Sequence, residues 1–126
     1  MQAKEIKKDI YWVGVKDWNL REFHGYATPH GSTYNSYLIM DEKITLVDGV
    51  KSYMSQEMTE RVKSVVDFSQ ISYVVVNHVE MDHSGNIPEI MKLAPQAVII
   101  TDNAGKMALE AHFDTCLLYT SDAADD

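Results

Sequence analysis

The chain has little cysteine, few basic residues and no long apolar run, and each shortage excludes a class of protein. The single cysteine, Cys116, rules out an intrachain disulfide and a zinc site built from several cysteines. Lys and Arg number 11 against 19 Asp and Glu, a net charge of -8, so the chain lacks the basic surface that binds nucleic acid. No apolar run approaches the roughly 20 residues of a membrane-spanning helix. The start, MQAKEIKKDI, lacks the apolar stretch of a signal peptide. The sequence therefore predicts an acidic, cytoplasmic protein that binds neither nucleic acid nor membrane.

Apolar residues are plentiful, at 45% of 126 residues, which is enough for the core of one domain. Residues 4–15 predict one or two strands with a turn near Lys8, and residues 16–32 predict a long polar loop. Two further strands, at 33–40 and 44–48, are separated by a short polar turn. They predict a β-hairpin.

Strands alternate with helices from residue 44 onward, which predicts an α/β fold with a mixed sheet. Apolar residues at helical spacing follow Ser52, which we expect to cap that helix. The continuous run ISYVVV at 71–76 predicts a strand buried on both faces. Asn86, followed three residues later by Glu89, predicts the start of a second helix. The remaining predicted elements are a strand at 97–101 and a short helix at about 103–112.

The segment directly after the buried strand carries four potential metal ligands, His78, Glu80, Asp82 and His83. In an extended segment, residues two apart point the same way, so His78 and Glu80 can reach one ion together. Asp82 and His83 follow at the next turn and can face a second ion. Imidazole and carboxylate ligands without a thiolate suit iron, manganese or zinc. Because carboxylates also bridge two ions, we predict a dinuclear site at the C-terminal end of a central strand, where α/β sheets place ligands.

The predicted site is incomplete, because four ligands are too few for two ions. The other histidines are His24, His30 and His112, and none of them sits beside a comparable cluster in the sequence. The alternative interpretation is a solvated polar loop in which Asp82 lies near a helix N-terminus for electrostatic reasons. That alternative leaves two histidines and a glutamate unexplained.

The order of two motifs, LVDGV and then VVVNHVEMDHSGN, resembles the metal-binding pattern of the metallo-β-lactamase fold. Hydrolases of that fold usually carry H-x-H-x-D-H, whereas Glu80 stands here in place of the second histidine. H-x-E-x-D-H is the pattern of the flavodiiron proteins (A-type flavoproteins, which include rubredoxin:oxygen oxidoreductases and flavorubredoxins). The stretches WNLREFHGY and TYNSYLI also resemble that family. Over residues 1–114, the resemblance implies the N-terminal half of a metallo-β-lactamase-like αββα sandwich, with a mixed sheet flanked by helices.

The resemblance implies a diiron centre that reduces O2 to water or NO to N2O with electrons from FMN, which a flavodoxin-like domain carries. By motif position, His78 and Glu80 are implied ligands of one iron, and Asp82 and His83 of the other. In some family members the histidine at the position of His83 does not bind metal. The resemblance also implies rubredoxin or a similar electron donor, and a head-to-tail homodimer.

Three further residues are assigned by the resemblance or by position. His24 resembles a family histidine beside the diiron pocket that could donate a hydrogen bond or a proton to substrate. The alternative for His24 is an ordinary loop histidine. Asp48, at the end of the strand ITLVD, is expected to brace the metal-binding loop, the alternative being a plain turn residue. His30 departs from the family pattern and receives no role.

The last twelve residues, 115–126, break the pattern of the chain. They have no helical period and no obvious partner strand, and they are acidic. CLLYTSDAAD resembles the translation of a transposon-end adapter used in sequencing libraries, so we expect a tail outside the family, disordered or foreign. The family's remaining ligands, two histidines and a bridging aspartate, and its flavodoxin-like domain come later in the chain of its members. The sequence is therefore expected to be an N-terminal fragment.

Two other functions are compatible with the sequence. One is a metal-dependent hydrolase of the metallo-β-lactamase fold, in which metal-bound hydroxide attacks an ester, thioester or amide. The other is an inert fragment with no activity of its own. A half-fold should leave an apolar face of its sheet uncovered, so we expect the isolated chain to aggregate.

Overall fold

The structure is a computed structural model that describes residues 1–23, 25–113 and 119–122, the last four for their backbone only. The chain begins with a series of short strands. They are β1 (Lys4–Lys7), β2 (Ile10–Trp12), β3 (Val15–Asp17), β4 (Glu22–Phe23), β5 (Tyr26–Ala27), β6 (Ser32–Tyr34), β7 (Tyr37–Ile39) and β8 (Thr45–Val47). The later strands are β9 (Tyr73–Val75), β10 (Val98–Thr101) and β11 (Tyr119–Asp122).

Helices occur only after β8 in the described part of the chain. They are α1 (Ser55–Lys63), α2 (Met81–Ser84), α3 (Ile87–Leu93) and α4 (Asn103–Phe113), together with 3-10 turns at Ser52–Met54 and Phe68–Gln70. Among the residues described, no helix combines the length and the apolar character needed to cross a membrane.

Seven strands form one mixed sheet in the order β1-β2-β7-β8-β9-β10-β11. The strands from β1 to β8 pair antiparallel, and those from β8 to β11 pair parallel. Two small antiparallel ribbons, β3 with β6 and β4 with β5, lie outside this sheet. The α/β class, the mixed sheet and the hairpin of β7 and β8 are confirmed.

The core runs across the middle of the large sheet. Leu38, Leu46, Val74 and Ile99 lie side by side in register, and all four are fully buried. Side chains alternate between the two faces of a strand, so their neighbours point the other way. Those neighbours are only half-buried: Tyr37, Val47, Val75 and Ile100. The prediction that ISYVVV is buried on both faces is therefore wrong for β9, because one of its faces is incompletely covered.

The predicted loop at 16–32 is the largest error in the predicted secondary structure. It holds the end of β3, the hairpin of β4 and β5, and the start of β6. These strands have two or three residues, which is too short for an alternating apolar pattern to show. Gly25 and Gly31 make the turns between them at φ of 82° and 81°, a backbone region that favours glycine.

Two predictions about element ends are also wrong. Ser52 does not cap the first helix, because it opens a 3-10 turn and α1 begins only after Met54. The tail was expected to have no partner strand, yet Tyr119–Asp122 pairs in parallel with β10. The free edge of β10 offers unpaired backbone groups that an extended segment can satisfy. The rest of the tail, 115–118 and 123–126, lies outside the described residues, and the origin of the tail stays a prediction.

A buried carboxylate ties the β3–β6 ribbon to the turn after β8. The hydroxyl of Tyr34 donates a 2.7 Å hydrogen bond to Oδ2 of Asp17, and the hydroxyl of Tyr53 donates to the same oxygen. Asp17 is only 4% exposed. Burial raises the pKa of Asp17, but the hydrogen bonds from Tyr53 and Tyr34 lower it more, so its pKa lies below the usual range.

The lowered pKa of Asp17 predicts a specific loss of stability in acid. Its contribution is complete above the unfolded pKa of about 3.9 and disappears as the pH falls through the lower folded value. In the protein that carries this chain, Asp17→Asn should cost about 1–3 kcal/mol at pH 7, because a neutral amide accepts weaker hydrogen bonds. The variant should then lose less further stability than the wild type between pH 5 and pH 3. Urea unfolding at several pH values measures both effects.

The control for this experiment is Glu110→Gln, which removes an exposed carboxylate from α4. It should leave the pH dependence of the unfolding free energy unchanged. Parallel pH profiles for wild type and Asp17→Asn would contradict the role of the Asp17 carboxylate.

Candidate metal site

The ligand loop, defined as residues 77–86, follows β9 and is held at its start by Asp48. Oδ1 of Asp48 accepts hydrogen bonds from the backbone N–H groups of Asn77 (2.8 Å) and His78 (3.2 Å). Its own N–H donates to the carbonyl of Val75 at 2.7 Å. Asp48 has a positive φ of 61°, which lets the chain turn directly after β8 and aim the carboxylate at the loop. The bracing role predicted for Asp48 is confirmed.

Asp48 is a buried acid with an unusual electrostatic environment. Burial raises the pKa of its carboxyl above the usual range, and the two backbone N–H groups lower the pKa without cancelling that effect. Asp48 is only 7% exposed, so water does not compete with the loop for its carboxylate.

Three of the predicted ligands converge on one point. One nitrogen or oxygen atom from each of His78, Glu80 and Asp82 lies within 4.8 Å of the others. Nε2 of His78 and Oε1 of Glu80 are 3.5 Å apart. Glu80 precedes α2 with an extended backbone, and Asp82 lies in the first turn of that helix. The change from extended chain to helix brings residue 82 back toward residues 78 and 80.

His83 lies beside this group, on the side of Asp48. Its Nε2 is 3.3 Å from Oδ2 of Asp82, and its Nδ1 is 3.6 Å from Oδ2 of Asp48. Its ring meets the ring of His78 edge-on, with centroids 5.0 Å apart. Among the residues that the structure describes, none accepts or donates a hydrogen bond at the buried Nδ1 of His83. A buried ring nitrogen without a partner is costly and suits coordination or a bound water.

The residues fit a metal with nitrogen and oxygen ligands. Two imidazoles and two carboxylates offer the donor atoms that iron, manganese and zinc accept. The structure brings His78, Glu80 and Asp82 to one point and places His83 beside them, with Asp82 near both histidines. The assignment of one pair of residues to each of two irons therefore stays a prediction.

An open cavity of about 440 Å³ adjoins these side chains. It is lined by Glu22, Phe23, Lys51, Glu80, Met81, Asp82 and His112. His112, which sits beside no comparable cluster in the sequence, is brought to the cavity wall by α4. His24, the predicted proton donor, lies outside the described residues, although its neighbours Glu22 and Phe23 line the cavity.

Lys51 is a functional candidate that the sequence did not single out. Its Nζ lies over the rings of Phe23 and Tyr34, 5.0 and 5.4 Å from their centroids, which is the geometry of cation–π contacts. The ammonium therefore lies on two aromatic rings, and Lys51 lines the same cavity as Glu80 and Asp82. Its position just after the Asp48 turn was the only signal in the sequence, and a single lysine at a strand end is too common to be informative.

Comparisons with known proteins agree with this site. Residues 33–123 match the family model described as ODP family beta lactamase. The chain is 43% identical over 114 residues to a nitric oxide reductase of Moorella thermoacetica, covering 89% of this chain and 29% of that protein. The match to the family model runs past residue 114, where we expected the resemblance to end.

Two solved structures share the fold. The rubredoxin oxygen:oxidoreductase of Desulfovibrio gigas superposes with a TM-score of 0.91 at 39% identity, over 97% of this chain and 31% of that one. The flavodiiron protein of Giardia intestinalis gives a TM-score of 0.86 at 33% identity, over 96% and 30%. The chain thus spans less than a third of the length of these relatives. It belongs to the ODP family of beta lactamases, and it shares its fold with solved flavodiiron proteins.

Proposed function

We propose that this chain is part of a flavodiiron oxidoreductase that reduces O2 to water, NO to N2O, or both. The observation that carries the proposal is the convergence of His78, Glu80 and Asp82 within 4.8 Å at the end of a central strand. The names of the relatives, a nitric oxide reductase and a rubredoxin oxygen:oxidoreductase, support the reaction class.

The residues of the site would hold the two irons and admit a small substrate. When bound, two irons supply electrons and open coordination positions for a diatomic molecule. The carboxylates of Glu80 and Asp82 would offset the charge of the cations, and both line the cavity. At about 440 Å³, that cavity is large enough for O2 or NO. Lys51, on the same wall, adds one positive charge among the carboxylates.

The remaining parts of the proposal rest on the resemblance alone. We propose FMN as the source of electrons, rubredoxin or a similar protein as its donor, and a head-to-tail homodimer in the cytoplasm. Glu80 argues against the rival hydrolase, because hydrolases of this fold usually carry histidine there. Measuring iron, zinc and FMN in the purified protein that carries this chain distinguishes the two. Zinc without flavin would favour the hydrolase.

Glu80→Ala tests the metal assignment. Removing one donor from a group of three should lower metal affinity by at least the ~10–100-fold that indirect changes near metal sites cause. We expect lower iron content and no reductase activity in the protein that carries this chain. Elemental analysis and O2 or NO consumption measure the two effects.

Glu42→Ala is the matched control, because Glu42 is an exposed acid in the turn between β7 and β8, at the opposite end of these strands. It should keep both iron and activity. Full iron loading in Glu80→Ala would show that Glu80 is not a ligand.

His24→Ala tests the proton donor. If His24 donates a proton to bound substrate, its loss should slow turnover by roughly 100-fold or more, with iron content unchanged. Steady-state rates with O2 and NO, compared with iron content, check this. His30→Ala is the matched control, because His30 lines a different surface pocket with Lys16 and Trp18. A normal rate in His24→Ala would make His24 an ordinary loop histidine.

A further inference from the structure

Asn86, the last residue of the ligand loop, stands at a helix start as predicted, but its side chain makes an unexpected contact. The spacing to Glu89 predicts the start of a helix, and Asn86 does stand at the N-cap position of α3. Within the described part of the chain, however, its side chain makes no capping hydrogen bond. Asparagine is favoured at this position because its oxygen usually accepts from the first turn of the helix. The side chain of Asn86 must therefore serve another contact.

That contact joins the ligand loop to the turn after β8. Oδ1 of Asn86 accepts a 2.8 Å hydrogen bond from the backbone N–H of Val50. The backbone N–H of Asn86 donates in return to the carbonyl of Val50 at 3.0 Å. Asn86 is thus joined to Val50 by two hydrogen bonds, one through its side chain and one through its backbone. The residue is fully buried, so water does not compete for these bonds.

Gly49 makes this pairing possible. A Cβ atom added at Gly49 would lie 2.2 Å from Oδ1 of Asn86, which is far inside van der Waals contact. The backbone N–H of Gly49 also donates a 2.6 Å hydrogen bond to the carbonyl of His83, a predicted ligand. Because Gly49 has no side chain, both the amide of Asn86 and the carbonyl of His83 can lie close to the turn after β8.

Asp48 and Asn86 hold the two ends of one loop. Asp48 binds the N–H groups of Asn77 and His78 at its start, and Asn86 binds Val50 at its end. Glu80, Asp82 and His83 lie between these two attachments, and His78 belongs to the first of them. Because both attachments use the same short turn, residues 48–50, the distance between the loop's ends is fixed by a rigid strand end. Substituting a residue that supports metal ligands in this way typically lowers metal affinity.

We propose that Asn86 is a positioning residue for the metal site, acting with Gly49 to hold the ligand loop in its metal-binding geometry. The inference rests on the proposed function, because it assumes that the loop binds iron. Asn86 itself contacts no metal in this proposal. Its amide nitrogen faces Ser55 and Met58, at 3.2 Å from Oγ and 3.3 Å from Sδ, so the other half of the side chain serves the packing of α1.

The test is the affinity of the iron-free protein that carries this chain for Fe²⁺, titrated without oxygen in a calorimeter. Asn86→Ala should weaken Fe²⁺ binding about 10-fold or more, within the range that supporting positions cost. Gly49→Ala should do the same from the other side of the contact, because its methyl group displaces the amide. Asn86→Asp retains an oxygen for the N–H of Val50 and should keep more affinity than Asn86→Ala. If Asn86→Ala does not fold, the other two variants carry the test.

Gln96→Ala is the control for a merely structural effect. Nε2 of Gln96 donates to the carbonyls of Phe68 and Ile71, at 2.8 and 2.9 Å, at the opposite end of the parallel strands. It should lower the melting temperature and leave Fe²⁺ affinity unchanged. Wild-type affinity in both Asn86→Ala and Gly49→Ala, or an equal loss of affinity in Gln96→Ala, would overturn the proposal for Asn86 alone. A wild-type protein that binds no Fe²⁺ would overturn the proposed function and this inference with it.

Discussion

The candidate site depends on the turn that follows β8, residues 48–54. The carboxylate of Asp48 and the backbone of Gly49 and Val50 hold the ligand loop through hydrogen bonds. Lys51 reaches the cavity wall, and Tyr53 is tied to the buried carboxylate of Asp17. One short segment therefore fixes the loop that carries the donors and one wall of the cavity beside them. Because the turn begins at the end of a central strand, the packing of the sheet determines where the site lies.

The candidate site brings several carboxylates close together, which is unfavourable without a cation. A carboxylate oxygen of Glu80 lies within 4.8 Å of one of Asp82, and His83 lies between Asp82 and Asp48. Like charges at short range repel each other. Asp48 is also withdrawn from water, which raises its pKa. The backbone N–H groups of the ligand loop offset part of this cost. A bound cation would offset the rest of the cost, so metal binding should raise the stability of the folded protein.

The sequence predicted the large sheet better than the small ribbons, and the reason is length. The pairing of β7 with β8, and the strand at β9, follow from apolar patterns several residues long, which periodicity can detect. The ribbons of β3 with β6 and β4 with β5 have two or three residues a strand and depend on turns at Gly25 and Gly31. Their geometry comes from tertiary contacts, such as the hydrogen bonds of Tyr34 and Tyr53 to Asp17, which no local pattern encodes.

The site shows the same division between local and long-range information. His78, Glu80, Asp82 and His83 are close in sequence, so their spacing alone predicted that they would meet. His112 reaches the same cavity from a helix about 30 residues later, and Lys51 from a turn about 30 residues earlier, so spacing could not find them.

Asn86 is the most informative residue, because its place at the start of a helix follows from the local pattern while the contact of its side chain does not. It stands at the N-terminus of α3 as predicted, yet its amide bonds to Val50, 36 residues earlier in the chain. Forgoing a helix cap costs about 1 kcal/mol, a cost that a protein accepts only when the alternative contact returns more. The hydrogen bond from the N–H of Val50 to Oδ1 of Asn86 returns at least that much, since it is worth about 1 kcal/mol and its loss would leave the buried N–H of Val50 without a partner, which costs about 1–3 kcal/mol. The side chain therefore goes to the contact that joins the two halves of the site, and the helix begins without it.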